Sequence, residues 1–211
     1  MIRILIADDH QLVREGLRQL LAGSADIEVA AEAANGDEAL ELVRAREFDL
    51  ALLDMSMPGL SGIDLIKRLK IEKPKLRMLV LSMHGEKQYA VRALKAGASG
   101  YLTKDSASAQ LVAAIRKIAA GGVHITEAAA AQLIDAPAGD RPPHSLLSDR
   151  EFEVFRQLVA GSSPTEIAER LHLSVKTVST HKARLLQKMN VEGTAQLVRY
   201  ALENRLFDGD G

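Results

Sequence analysis

The stretch "DLALLDMSMPG", residues 49–59, decides the fold. An apolar run, Leu50 to Leu53, delivers one carboxylate, Asp54, into Met55-Ser56-Met57-Pro58-Gly59. A short apolar run closed by Pro and Gly reads as a strand buried on both faces, as in a parallel sheet. A carboxylate at the carboxyl end of such a strand stands where open α/β folds place their ligands. Taken alone, Asp54 could equally do no more than shape the turn. Its meaning depends on what arrives beside it.

Strand patterns recur on either side, at Ile2–Ala7, Ile27–Ala33, Arg77–Leu81 and Gly100–Leu102. Helical stripes lie between and after them: Val13, Leu17, Leu20 and Leu21; Ala39, Leu40 and Val43; Ile63, Ile66 and Leu69; Ala90, Ala93 and Leu94; Leu111, Ala114, Ile115 and Ile118. This alternation predicts an α/β domain over residues 1–121, a five-stranded doubly wound parallel sheet of the flavodoxin-like kind. Gly121-Gly122 stops its last helix. Thr126–Ile134 has the Ala content of a short helix, and "DAPAGDRPPHS" (135–145) is rich in Pro and Gly. Residues 122–145 are therefore expected to be a linker.

Residues 146–208 read as an all-α, four-helix domain. Ser148 with Glu151 and Ser163 with Glu166 form capping boxes, and Ser174 and Thr194 are expected to cap two further helices.

The chain has 211 residues, 47% hydrophobic and 26% charged, which suits two globular domains. It has no cysteine, which excludes disulfides, thiolate metal sites and a cysteine nucleophile. The apolar run Ile4–Ala7 meets Asp8 at once, so neither a signal peptide nor a membrane span is expected. A cytoplasmic protein without a membrane partner follows. Residues 1–122 hold 17 Lys/Arg against 16 Asp/Glu, and 144–207 hold 9 against 7, so neither half is strongly charged. The basic signal is local: Ser174–Lys188 carries Lys176, Lys182, Arg184 and Lys188 with no acid, and nucleic acid is sought there.

In the expected topology the strand ends meet at one edge of the sheet. Asp8 and Asp9 end the first strand, Asp54 the third and Ser82 the fourth, and Lys104 follows the fifth. Singly these have ordinary readings: Asp8-Asp9 or Ser82 as helix caps, Lys104 as surface. Together they make an acidic pocket that calls for a hard cation with oxygen ligands, most simply Mg²⁺. Lys104 and the Ser82 hydroxyl would hold an incoming phosphoryl group, and Asp54 could be its in-line nucleophile.

The set Asp8-Asp9, "LLDMSMPGLSG", "LSMH" and "GASGYLTKD" resembles the receiver domain of two-component response regulators. The resemblance implies that Asp54 accepts phosphate from a sensor histidine kinase. It implies that Asp8, Asp9, Asp54 and the backbone carbonyl of Ser56 hold Mg²⁺, and that Ser82 and Lys104 bind the phosphoryl group. It makes Tyr101, three residues before Lys104, an aromatic that rotates inward; an ordinary half-buried core Tyr is the alternative. Ser56 and His84 fall where relatives vary the phosphoryl lifetime. The implied protein is not an enzyme beyond self-catalysed phosphotransfer and slow autodephosphorylation.

Further on, "SSPTEIAERLHLSVKTVSTHKARLLQKM" places two helices around a short turn, the helix-turn-helix pattern. Val175, Val178, Leu185 and Met189 are expected to be the buried face of the second helix. Lys176, Thr180, Ala183 and Gln187 then point outward, flanked by Thr177, Ser179 and Arg184. The stretch resembles the LuxR-type DNA-binding domain of NarL/FixJ-type regulators, which implies binding to double-stranded promoter DNA. Thr180, Ala183 and Ser179 are expected to meet bases, and Arg184, Lys188 and Lys182 phosphates; Lys176 and Thr177 join the same surface. Relatives often carry long basic side chains where this chain has Ser179 and Ala183, so their base contacts do not transfer. His181 reads as half-buried packing. Leu197, Val198, Ala201 and Leu202 form an apolar stripe that could pair two copies into a homodimer on phosphorylation.

Two other functions fit part of the pattern. A haloacid-dehalogenase-like phosphohydrolase also forms an aspartyl phosphate, but it needs an Asp two residues after the nucleophile, where this chain has Ser56. A DNA-binding protein with a phosphorylation-blind receiver would have no use for both Lys104 and Ser82.

Overall fold

Runs of Ile, Leu, Val and Ala build five strands: β1 (Ile2–Ala7), β2 (Ile27–Ala33), β3 (Leu50–Asp54), β4 (Arg77–Ser82) and β5 (Gly100–Thr103). All pair in parallel, in the order β2-β1-β3-β4-β5. Every residue of β3 is buried, which is why its sequence shows no alternation. The computed structural model describes residues 1–57, 60, 62–82, 87–104, 108–125, 142–204, 206 and 207. The expected Thr126–Ile134 helix, most of the linker, Pro58, Gly59 and His84 lie outside the described residues.

Five helices cover the sheet: α1 (Gln11–Ala22), α2 (Gly36–Ala45), α3 (Gly62–Glu72), α4 (Lys87–Ala96) and α5 (Ser108–Ala119). Ile4, Ile6, Leu50, Leu52, Leu79 and Leu81 pack against Leu21 of α1 and Leu111, Ala114, Ile115 and Ile118 of α5. Alternation along the strands sends Leu5, Leu53 and Val80 to the other face, where Ala39, Val43, Ile66 and Leu69 are also buried. The central strands are thus covered on both faces, and the carboxyl ends of β1, β3 and β4 open at one edge.

The described residues fall into two compact units, one running to Ile125 and the other starting at Pro142. The second opens with a 3₁₀ turn (Pro143–Leu146) and continues with α6 (Asp149–Val159), α7 (Pro164–Arg170), α8 (Val175–Met189) and α9 (Thr194–Glu203). Both capping boxes form, and Ser174 accepts from Thr177 N–H. Phe152, Phe155 and Phe207 meet at tilted or edge-on angles beneath α6.

Four expectations need correction. Thr194 is not a cap: Gly193 holds that position, and the Gln196 side chain accepts from Glu192 N–H instead. Val175 is 44% exposed, because it is the first helical residue and the buried face starts one turn later at Val178. Leu197 and Ala201 are buried within their own unit, which leaves only Val198 and Leu202 of that stripe for a second copy. The linker is also shorter at its described ends. His124 pairs with β5, and His144 is buried with its Nδ1 2.7 Å from the Tyr200 hydroxyl.

Gly36 marks a tight crossing in the first unit, since a Cβ there would stand 1.5 Å from the Leu60 carbonyl oxygen. The backbone must shift to admit one. Gly36→Ala should therefore lose about 1–3 kcal/mol of stability, read as a lower urea midpoint at unchanged slope.

Candidate functional site

The register of the sheet assembles the site. Ala7 is level with Leu53, Asp54 with Leu81, and Ser82 with Thr103. Residues just past these ends therefore share one edge: Asp8 and Asp9 after β1, Asp54 closing β3, Ser82 closing β4 and Lys104 after β5. The Lys104 N–H donates to the Ser82 carbonyl at 2.7 Å, which ties the last two strand ends together. The strand order turns back at β1, where such sheets open their ligand crevice.

The Lys104 ammonium is 2.6 Å from Asp8 Oδ2 and 3.2 Å from Asp54 Oδ2. Asp8 and Asp54 are almost fully buried, and Lys104 is partly buried beside them. Burial, reinforced by the charge of Asp8, pushes the Asp54 carboxyl above its ordinary range, although Lys104 and the Ser56 N–H pull the other way. Burial works against the Lys104 charge, but the bond to Asp8 and the two carboxylate charges outweigh it and raise its pKa. A carboxyl whose folded pKa is raised favours the fold below the usual Asp range and loses that contribution as pH climbs through the raised value. At neutral pH the ionised Asp54 carboxylate therefore weighs against the folded state, while the raised Lys104 beside it works the other way.

Asp8, Asp9, His10 and Asp54 each offer a ligand atom, and these atoms all lie within 4.8 Å of one another. Asp9 Oδ1 is closed off from solvent and accepts no hydrogen bond, although His10 Nδ1 stands 2.9 Å away. Three carboxylates against one ammonium, with one oxygen left over, fit a hard divalent cation. Capping does not explain the acids: His10 is the N-cap of α1, and the Asp8 carboxylate accepts the N–H of that cap and the Lys104 ammonium rather than an N–H of the helix's first turn. Ser82 is buried at the end of β4, and Tyr101 is buried within β5.

Two contributors escaped the sequence reading. His10 brings a ring nitrogen to the edge of the acidic cluster, 2.9 Å from Asp9 Oδ1, and Arg14 donates to the Asp8 carbonyl at 2.7 Å. Their signal was position alone, directly after the acidic pair and one helical turn further on.

In the second unit, α7 and α8 are joined by a turn in which His172 takes φ 51°, a left-handed position usually given to Gly. Val178, Leu185 and Met189 bury one side of α8. Lys176, Ser179, Thr180, Ala183, Arg184 and Gln187 are exposed, while Thr177, His181 and Lys182 are half-buried. The Ser179 and Thr180 hydroxyls donate to the carbonyls of Val175 and Lys176, one turn back. Lys188 is exposed, and its ammonium bonds Glu151 Oε2, a buried carboxylate of the α6 capping box, at 2.6 Å.

Residues 4–116 match the response regulator receiver domain, and residues 145–201 match the bacterial regulatory proteins of the luxR family. The chain belongs to the response regulators of the NarL/FixJ type, which join a receiver to a LuxR-type helix-turn-helix DNA-binding domain. It is 33% identical to the response regulator UvrY of Escherichia coli, over 100% of this chain and 98% of that protein. It is 35% identical to the oxygen regulatory protein NreC of Staphylococcus epidermidis, over 98% of this chain and all of the other. Among solved structures it resembles RcsB of Salmonella enterica serovar Typhimurium bound to promoter rprA in the presence of phosphomimetic BeF3-. That similarity has a TM-score of 0.68 at 28% identity and covers 94% of this chain and 97% of RcsB. No helix among the described residues is long and apolar enough to cross a membrane.

The Lys188–Glu151 bond has a measurable consequence. Burial acts to raise the Glu151 carboxyl, but Lys188 and the Ser148 backbone and hydroxyl outweigh it and hold it below its usual range. Such a group favours the fold above the usual Glu range and loses that contribution as pH falls through the depressed value. Lys188→Ala should cost the second unit about 1 kcal/mol at neutral pH, solvent screening keeping the figure small. By calorimetry the variant and wild type should converge in acid.

Proposed function

We propose that Asp54 is the phosphoacceptor of a switch that controls promoter binding by α8. The observation that carries this reading is the Lys104 ammonium held between Asp8 and Asp54 at a buried sheet edge. An Asp54 oxygen attacks the phosphorus of a phosphohistidine on a sensor histidine kinase. A P–O bond forms as the P–N bond breaks, and the leaving imidazole takes a proton. Lys104 pairs with one oxygen of the transferred group, and the Ser82 hydroxyl donates to another. Asp8, Asp9, Asp54 and the Ser56 carbonyl would hold Mg²⁺, which supplies positive charge to the carboxylates and the incoming phosphoryl oxygens. Tyr101 is the aromatic whose position registers the change. The chain's own chemistry is this transfer and a slow return of the phosphoryl group to water.

The receiver, taken as residues 1–121, continues to the His124 pairing. The DNA-binding domain starts near residue 142 and works in the cytoplasm, on double-stranded promoter DNA. A regulator with one reading helix per chain gains affinity by holding two half-sites as a dimer, and Val198 and Leu202 give α9 an apolar strip for a second copy. Thr180 and Ala183 sit in the amino-terminal half of α8, the part that meets base edges. The Thr180 hydroxyl donates to its own helix, so its oxygen remains an acceptor for a base amino group while its methyl can meet a thymine. Arg184 and Lys182 reach phosphates beside them, and Lys176, Thr177 and Ser179 complete the surface. Lys188, exposed and bonded to Glu151, also braces the helix.

Two outcomes follow. With a small acyl phosphate and Mg²⁺, intact-mass measurement should show one added phosphoryl group on wild type and none on Asp54→Asn; equal labelling would remove Asp54 from the role. On a randomised-site DNA library, Thr180→Ala should change the preferred sequence, at about 1–3 kcal/mol confined to particular base pairs. Arg184→Ala should weaken all sequences alike and lower the salt slope by about one unit. The reverse pattern would exchange the two roles.

A further inference from the structure

Strand β5 touches two regions far apart in the chain. Past its carboxyl end, Lys104 enters the pocket. Along its outer edge it is paired with residues that follow α5. Tyr101 N–H donates to the His124 carbonyl at 3.0 Å, His124 N–H donates to the Ser99 carbonyl at 3.0 Å, and Gly100 and His124 stand opposite each other in a parallel bridge. Without this segment β5 would be a bare sheet edge with unpaired donors and acceptors.

Three glycines permit the arrangement. Gly121, at φ 95°, ends α5 with its N–H on Ile118 O, while Gly122 N–H bonds Lys117 O; this turn sends the chain back to the sheet. A Cβ on Gly122 would stand 2.9 Å from Lys117 O. A Cβ on Gly100 would stand 2.9 Å from His124 O and 2.7 Å from Ile118 Cδ1, so only Gly lets the segment approach β5 so closely. A linker that merely trailed from α5 would need none of this.

We propose that residues 123–125 are a releasable clip on the edge of β5, through which the state of the Asp54 pocket sets how the interdomain linker leaves the receiver. The proposal rests on the reading of Asp54 as phosphoacceptor. A phosphoryl group on Asp54 offers new oxygens to Lys104, whose ammonium is now shared by Asp8 and Asp54. Lys104 follows directly on β5, a strand of 4 residues, and its N–H is bonded to the Ser82 carbonyl, so a shift of the backbone at that strand end would be passed along β5 to the residues that face His124. Among the described residues, two backbone hydrogen bonds pair the clip with β5, and Val123 beside them is exposed; so short a pairing at the margin of a sheet is a part that opens readily.

The test compares full-length wild type, His124→Pro, Gly100→Ala and His124→Ala. His124→Pro removes the N–H given to Ser99. Gly100→Ala intrudes on the His124 carbonyl by a different route. His124→Ala keeps both backbone bonds. Each protein is treated with a small acyl phosphate and Mg²⁺, labelling is checked by intact mass, and affinity is measured on a duplex that wild type selects from a randomised library. Wild type and His124→Ala should gain affinity on phosphorylation by a factor in the range of about 5–150 usual for coupled sites. Amide exchange across residues 119–125 should change with it. His124→Pro and Gly100→Ala should label as wild type does but lose most of that gain. A full gain in both variants, or exchange across 119–125 that ignores phosphorylation, would overturn the clip while leaving Asp54 in its role. A wild type that takes no phosphoryl group, or gains no affinity from it, would overturn both readings.

Discussion

One ammonium among three carboxylates governs this molecule. Lys104 sits between Asp8 and Asp54 where little water reaches. Burying ions is costly unless each finds a partner, and here the negative charges outnumber the positive. The fold tolerates that because the strand ends are fixed by a sheet packed on both faces, so the acids cannot move apart without undoing the register of β1, β3 and β4. An arrangement that gathers excess negative charge at a crevice suits a cation with oxygen ligands. The rest of the receiver is the frame that keeps this balance tight.

Much of that frame was legible in the sequence. β1 and β2 run over the residues that their patterns mark, and β3 declares itself by an apolar run with no alternation. The pocket was legible for the same reason: once the strands are placed, parallel topology alone carries Asp8, Asp9, Asp54, Ser82 and Lys104 to one edge. What stayed hidden is what periodicity cannot encode. The return of His124 to β5 involves too few residues for a strand pattern and depends on Gly100, whose need for close approach shows only when the neighbours are in place. Arg14 reaches a backbone carbonyl, which leaves no compositional trace.

The DNA-binding unit shows the same division. Capping boxes are local, and Ser148 and Ser163 form them as their spacing requires. The Lys188–Glu151 bond left no mark in the sequence, because a basic residue on a basic helix looks like part of one surface, while Glu151 lies 37 residues earlier on another helix. That bond fixes the carboxyl end of α8 against α6, so the helix that reads DNA is braced by one of its own cations. Thr194 and Val175 were misplaced at helix ends, where one residue of offset separates a cap or a buried position from an exposed one.

If Asp54 takes the phosphoryl group, Lys104 has to leave its present sharing of Asp8 and Asp54. An experimental structure of the full chain with Mg²⁺ and beryllofluoride, the phosphoryl mimic, would show both events at once. The adduct is expected on the Asp54 carboxylate, with Lys104 and the Ser82 hydroxyl on its fluorines and the cation among Asp8, Asp9, Asp54 and the Ser56 carbonyl. An adduct on another residue, or one on Asp54 that left Lys104 bonded to Asp8 as before, would rule this out.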